Sequence, residues 1–315
     1  MQAKATSTPS GKLFETVCCP LCGSDKMEVV RQPAYPASVT LDDLNQVYSA
    51  SSSHLLRDQV VRCPSCRLVY VNPRPAAELT IGCYSDAVDP TFVAQNDSRI
   101  AAFRKSLGNV LRRLGQRDGG GRRVLDIGCA GGAFPVAARE LGFDPVGVEP
   151  SRWMADFARR TYGLDVRDGI LHPGMFPSGS FDMVTLWDVI EHVPQPHHLL
   201  TIAFDLLKPG GLLLVNYPGV DTIAARVLGK RWPFWLSVHL LYYTRQTMAR
   251  QLSRAGFSLL WQEPCWPSLP LGYVLQRAAP YFPLFGWLIP LVRGLGLSKL
   301  PVVYNMGQTL AVSRR

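Results

Sequence analysis

From residue 119 onward, short continuous apolar runs alternate with stretches whose apolar residues recur every three or four positions. The runs are RVLDIG at 123–128, PVGVE at 145–149, LDV at 164–166, FDMVTLW at 181–187, LLLVNYP at 212–218 and FSLLWQ at 257–262. Each has strand length, and continuous rather than alternating apolarity marks a strand buried on both faces. The intervening stretches at 133–142, 151–162, 197–207 and 244–255 have helical periodicity. A β-α-β-α order of this kind predicts an α/β fold, a doubly wound, mostly parallel sheet of about seven strands with helices on both faces. Upstream, Ile100, Phe103, Leu107, Val110, Leu111 and Leu114 share one face of a further helix, with basic residues mostly on the other.

Two regions depart from this pattern. Residues 1–12 are small and polar and are expected to form a disordered leader. Residues 264–300 form an insert rich in Pro, Leu, Trp and Tyr. Its stretch AAPYFPLFGWLIPLVRGLGL has the length of a membrane span, but Pro280, Pro283 and Pro290 interrupt it and Arg293 lies within it. The closing VVYNMGQTLAVSRR alternates as a last strand does. If that strand returns to the sheet beside FSLLWQ, the insert cannot cross a bilayer once. A hydrophobic lid, a dimer contact and a peripheral membrane contact all remain open for it.

Composition narrows the class. With 315 residues and 47% hydrophobic content, the chain can hold one full α/β domain and one small appendage. The net charge of +9 suits an anionic partner, whether nucleic acid, sugar diphosphate or membrane surface. The start MQAKATSTPSGKLFE shows no apolar signal segment, which gives the expectation of a cytoplasmic chain. Of eight cysteines, Cys18, Cys83, Cys129 and Cys265 are scattered, whereas Cys19 with Cys22 and Cys63 with Cys66 form two C-x-x-C pairs. In a reducing compartment, four thiolates at this spacing favour a closed structural Zn2+ site over disulfides. The expected division is a zinc-ribbon module at 13–75, linking helices at 76–118, and the main domain at 119–315 with its insert at 264–300.

The chemistry concentrates at VLDIGCAGGAF, 124–134, where a strand ends in Asp126 and runs into Gly128, Gly131 and Gly132 before a helix. Bare backbone there invites a ligand to the carboxyl ends of the strands. The dinucleotide pattern G-x-G-x-x-G fits poorly, because Ala130 and Ala133 occupy its second and third glycine positions. The segment resembles motif I of the class I S-adenosylmethionine-dependent methyltransferases, with Ala130 where the usual form has glycine. FDMVTLWDVIEHV at 181–193 and LLKPGGLLLVNYP at 206–218, with a turn at Pro209, Gly210 and Gly211, are similar to that family's fourth- and fifth-strand motifs. The resemblance covers roughly residues 95–265. It implies S-adenosyl-L-methionine as cofactor, with Asp126, Gly128, Gly131 and Gly132 at its methionine end. It further implies Glu149, 23 residues after Asp126, on the ribose hydroxyls, Asp168 near adenine, and Asp188 also at the cofactor.

Methyl transfer from a sulfonium is an in-line displacement dominated by alignment, so no covalent nucleophile is needed. For a hydroxyl acceptor, a histidine base is natural, and His192 and His239 fall where the resemblance places the acceptor. Either also reads as structural, His192 as a polar helix start and His239 as packing beside Tyr242 and Tyr243. Asp188, Glu191 and His192 are similar to the E-x-x-E-H cluster of the ubiquinone-pathway O-methyltransferases, which binds a divalent ion, although the same residues occur in metal-free relatives. The N-P-P-Y signature of amino-group methyltransferases is absent, LWDV standing in its place.

A knuckle pair followed by LVYVNPRP and this domain resembles the zinc-ribbon-headed methyltransferases of sugar, polysaccharide and secondary-metabolite pathways. Arg67 stands where such knuckles often have glycine. That resemblance makes a sugar- or lipid-linked small molecule, methylated at a hydroxyl or carbon, the expected acceptor. An RNA base methyltransferase headed by a zinc finger is the alternative, with nucleic acid ranked below. A zinc-ribbon scaffold that has lost its cofactor is disfavoured by the intact Asp126, Gly128, Gly132 and Glu149.

Overall fold

The structure is a computed structural model that describes residues 13–34, 58–77, 82, 85, 88–280 and 282–315. The leader expected over 1–12 lies outside the described residues, as do most of the stretch between the cysteine pairs and most of the helical segment expected through Tyr84. The amino-terminal strands are β1 (Phe14–Glu15), β2 (Glu28–Arg31), β3 (Val60–Arg62), β4 (Val69–Val71) and β5 (Arg74–Pro75). The main domain supplies β6 (Arg123–Ile127), β7 (Asp144–Glu149), β8 (Asp165–Asp168), β9 (Phe181–Trp187) and β10 (Leu207–Pro218). After these come β11 (Leu241–Tyr242), β12 (Ser258–Pro264), β13 (Ser268–Pro270), β14 (Pro301–Val303) and β15 (Gln308–Arg314).

Seven strands make the central sheet in the order β12-β15-β10-β9-β6-β7-β8. The pairings among β6 to β10 are parallel, and β15 runs antiparallel to both its neighbours. This is the doubly wound, mostly parallel α/β sheet that the apolar runs imply. Because successive side chains alternate faces, each run feeds two cores. Leu125, Val184, Leu186, Leu213 and Val215 pack with Leu200, Ala203, Met248 and Leu252 on one face. Val124, Met183, Leu212 and Leu214 pack with Leu107, Val110, Leu111 and Phe134 on the other. Each such fully buried aliphatic contributes roughly 1.5–3 kcal/mol relative to exposure. The turn expected at Pro209, Gly210 and Gly211 falls within β10, where Leu207 pairs with Phe181 and Leu212 with Met183, so residues 208–211 loop out of the register with β9. Gly210 takes φ +79° in this excursion.

The amino-terminal module is stitched to the main domain. Its sheet has the order β11-β4-β3-β2, so a strand from residues 241–242 completes it. Arg250 and Arg254, on the helix Arg245–Arg254, donate to the carbonyls of Cys66 and Leu21, one in each knuckle. Both knuckles fold alike: the amides of Gly23 and Arg67 donate to Cys19 and Cys63, and these two residues have φ +75° and +69°.

Strands β12 and β15 pair antiparallel from Ser258 opposite Arg314 to Pro264 opposite Thr309, so both ends of the insert leave the same end of the sheet. The insert folds into the helices Leu271–Ala278 and Pro283–Gly294 and the β13–β14 ribbon. Among the described residues no helix is long and apolar enough to cross a membrane.

The left-handed backbone at Arg67 costs an L-residue about 1–2 kcal/mol, more than the roughly 0.4–1 kcal/mol of unfolded-chain entropy that a side chain saves. Arg67→Gly should therefore raise folding stability by about 1 kcal/mol, read as a higher urea midpoint at unchanged slope. Gly23→Ala in the sister knuckle should lower it.

Candidate active site

The carboxyl ends of the parallel strands bring four polar side chains to one edge: Asp126 on β6, Glu149 on β7, Asp188 just beyond β9, and Asn216 on β10. Asp126 and Glu149 are 3% and 7% exposed. The two oxygens of Glu149 accept different backbone amides, Oε2 from Ala130 and Oε1 from Ser151, each at 2.8 Å. One carboxylate thus joins the loop after β6 to the loop after β7. Ala130 is held at φ +46°. The departure from glycine at this position therefore costs backbone strain of about 1–2 kcal/mol, and the added methyl group is not the main consequence.

Steric limits around the loop explain its glycines. A Cβ on Gly128, at φ +72°, would lie 2.7 Å from Val189 Cγ2, and one on Gly132, at φ +82°, would lie 2.7 Å from Leu164 Cδ1. Gly131 is enclosed by Val93 and Asn96, and Asn96 Nδ2 donates to its carbonyl at 2.9 Å. Asn96 opens the helix Asn96–Arg113 and is 2% exposed. The helical pattern upstream of the main domain thereby acquires a second role, clamping the loop.

Burial pushes the Asp126 carboxyl up to about 8, with the Glu149 charge adding to the rise and the Thr185 hydroxyl, donating at 2.6 Å, opposing it. Burial likewise raises Glu149 to about 7, against the amides of Ser151 and Ala130. Asp188, at φ +54°, is open to the crevice yet surrounded by protein mass, which raises it to about 6 against the pull of Arg99 and Asn216. Its carboxylate accepts from Asn216 Nδ2 at 2.8 Å. Asp168 ends β8 opposite Glu149, and its carboxylate is turned outward onto Arg159 at 2.5 Å.

Beyond β9, the one-turn helix Ile190–His192 and the segment before β11 bring together Glu191, His192 and His239, one ligand atom from each lying within 4.8 Å of the others. The histidine rings meet edge to face with centroids 4.7 Å apart. His192 Nδ1 lies 2.9 Å from the Val238 carbonyl and His239 Nδ1 2.9 Å from the Phe234 carbonyl. A carbonyl only accepts, so both Nδ1 atoms carry hydrogen and both Nε2 atoms keep a lone pair. Burial lowers His192 to about 4 and His239 well below its ordinary value, so both rings are neutral near pH 7. Glu191 is 1% exposed, neither of its side-chain oxygens has a hydrogen-bond partner among the described residues, and burial with the nearby Asp188 charge raises it well above the carboxylate range. The trio differs from the expected Asp188, Glu191 and His192, because Asp188 is turned to Asn216 and His239 occupies the third place.

Cys19, Cys22, Cys63 and Cys66 converge, with Sγ atoms of Cys19 and Cys66 3.4 Å apart and those of Cys22 and Cys63 3.5 Å apart. Cys18 is exposed and outside this group. Sequence reasoning did not single out Asn96, Thr185 or Asn216. The last two had a signal, being the polar residues near the carboxyl ends of otherwise apolar strands.

Residues 99–262, more than half of the chain, match a family model described as a methyltransferase domain. Among curated proteins the chain is similar to the mitochondrial ubiquinone biosynthesis O-methyltransferase of Schizosaccharomyces pombe, 31% identical over 128 residues covering 38% of this chain and 45% of that one. It is also 35% identical over 135 residues to a ubiquinone biosynthesis O-methyltransferase of Caulobacter, covering 38% and 51%. The chain thus spans about half the length of these relatives. Among solved structures, a SAM-dependent methyltransferase of Thermotoga maritima described as a possible histamine N-methyltransferase aligns over 70% of this chain and 90% of its own. That alignment has 20% identity and a TM-score of 0.45.

Thr185→Val would leave the buried Asp126 carboxyl without its donor, at a cost of about 1–3 kcal/mol. The Asp126 carboxyl should also titrate above its wild-type value of about 8, as followed by carbon-detected NMR. An unchanged titration would show that the hydroxyl does not hold the acid down.

Proposed function

The chain belongs to the methyltransferase-domain family, and on that premise we propose that it moves the methyl group of S-adenosylmethionine to a hydroxyl of a small molecule. The observation that carries this reading is the shared placement, on one edge of the sheet, of the Glu149-tied loop and a pair of neutral imidazoles, each held through Nδ1 by a backbone carbonyl. S-adenosylmethionine, when bound, supplies a methyl group activated by its sulfonium. Asp126 and the 128–132 backbone would hold its methionine end and Glu149 would accept from the ribose hydroxyls with its remaining lone pairs, while Asp188 borders the same crevice and Asp168 would have to turn from Arg159 to reach adenine. His192, the less buried histidine, would take the acceptor's hydroxyl proton at Nε2, so that the acceptor oxygen could receive the methyl group as its bond to the sulfonium sulfur breaks. His239 packs edge-on against it and fixes the ring.

A divalent cation on the acceptor side is a second reading, favoured by the unpartnered oxygens of Glu191. Glu191, His192 and His239 offer one carboxylate and two imidazole ligands, a set that suits such an ion. It would stabilise charge on a deprotonated acceptor oxygen. At the other metal site, the S–S spacings of 3.4 and 3.5 Å approach the ~3.8 Å edge of a Zn–thiolate tetrahedron. We therefore assign a structural zinc to Cys19, Cys22, Cys63 and Cys66, and take 13–75, 76–118 and 119–315 as the module, linker and catalytic domain.

A sugar, polysaccharide precursor or secondary metabolite is the acceptor class we favour, on the likeness to zinc-headed methyltransferases. The RNA alternative is weakened by the use already made of the arginines on the helix Asn96–Arg113. Arg104 pairs with Glu140, Arg113 pairs with Glu263 and lies over Trp261, and Arg99 lies over Phe92.

Transfer of labelled methyl groups to a panel of phenolic and sugar hydroxyls tests the reading. His192→Ala should lower kcat by about 10²–10⁴ with cofactor affinity unchanged, and an undiminished kcat would remove His192 from the reaction. The pH dependence has a definite sign. Asp126 and Glu149, raised to about 8 and 7, retain protons in the free fold, so their contribution to stability is lost as pH rises through those values. A cationic cofactor needs the carboxylates, so its affinity should rise from pH 6 to 8.5. Thermal melts without cofactor should fall over that range, and cofactor should offset the fall.

A further inference from the structure

The insert turns an apolar face outward. On the helix Pro283–Gly294 and its cap, Leu284, Trp287, Leu291 and Leu295 are 71%, 81%, 57% and 63% exposed. Their spacing of three, four and four residues places them on one stripe. The helix's other side meets the helix Leu271–Ala278 and its cap, where Gly286 faces Ala279. A second apolar pair, Ile223 and Val227, 82% and 78% exposed, stands on the helix Ile223–Leu228, which follows the carboxyl end of β10. Because Pro218 of β10, Pro264 of β12 and Gln308 of β15 lie at one end of the sheet, both apolar surfaces share the end that carries Asp126, Glu149 and Asp188.

Charge decides what these surfaces fit. Residues 264–315 contain no Asp or Glu, and Arg277, Arg293 and Lys299 are exposed in the insert. Arg226, Lys230 and Arg231 are exposed around the second pair. Two copies meeting through the insert would bring these cations together with no local acid to offset them. Apolar side chains beside a cationic, acid-free segment match the boundary between anionic lipid headgroups and acyl chains, with Trp287 suited to that depth. A helix of 12 residues rises only about 18 Å, well short of the hydrocarbon core, and both ends of the insert emerge on one side.

We propose that this face is a monotopic docking surface for an anionic lipid bilayer, seating the mouth of the crevice at the membrane. The insert reaches toward that crevice through β13, which packs against the loop-clamping helix Asn96–Arg113, and Tyr304, just beyond the insert, feels the charges of Asp188 and Arg99. An acceptor held at the lipid interface would then enter without crossing bulk water. The docking itself does not depend on the methyl-transfer reading.

Flotation of the full chain with vesicles of phosphatidylcholine alone, and of phosphatidylcholine mixed with phosphatidylglycerol, tests the proposal. The mixed vesicles should capture the protein, and added salt should weaken capture. Trp287→Glu combined with Leu291→Glu should lower apparent affinity at least about tenfold. Arg293→Gln with Lys299→Gln should reduce the preference for phosphatidylglycerol. Binding of S-adenosylmethionine to each variant reports that the fold and the cofactor reading stand, separately from docking. No capture by the mixed vesicles, equal capture of the Glu variant, or a wild-type dimer that the Glu variant splits in sedimentation would each overturn the assignment.

Discussion

The site is organised around the Glu149 carboxylate. It lies at the end of a buried strand with nearly all its surface removed from water, and it is tolerated there because its two oxygens take backbone amides from two different loops. One of those amides belongs to Ala130, which is held in a conformation an L-residue avoids. Without the carboxylate the strained loop has less reason to keep its shape, and with it the backbone between Gly128 and Gly132 is presented ready-made. Burial, with a smaller push from this acid, raises the neighbouring Asp126, so the site holds two carboxyls shifted above their ordinary range.

A second dependence runs through β11. Its two residues extend the amino-terminal sheet, and the residues immediately before them carry His239. Leu240 donates to the Glu191 carbonyl and accepts from Val71 on β4, so the imidazole pair and the cysteine module are mounted on the same short segment. Arg250 and Arg254 reinforce the joint from the adjacent helix. The cysteine module so attached shares with His239 the segment that leads into β11.

Legibility in the sequence followed the physics of each signal. Parallel strands buried on both faces write themselves as continuous apolar runs, and an acid or glycine at the end of such a run stands out, as Asp126, Gly128, Gly132 and Glu149 do. The cysteine pairs were equally plain, since ligand spacing is local. Pairing between β11 and β4 was not, because it joins distant segments and Leu241–Tyr242 sits in an aromatic stretch without alternation. His239, which reads in the sequence both as a base and as packing beside Tyr242 and Tyr243, lies edge-on to His192 with Tyr242 also near its ring. The strain at Ala130 and Arg67 depends on backbone angles that residue identity alone does not reveal. In the insert, prolines broke the periodicity of two helices whose apolar stripe is evident once they are folded.

The central claim is that the carboxylate organising the loop also holds the cofactor, and Glu149→Gln, which keeps the shape but sets an NH2 against one of the two backbone amides, weakens both tasks together. Calorimetric titration of S-adenosylmethionine into wild type and variant, with melts to confirm that both are folded, measures it directly. A loss of one or two charge-assisted hydrogen bonds predicts that affinity falls at least about tenfold. Unchanged affinity in a folded Glu149→Gln variant would contradict the account.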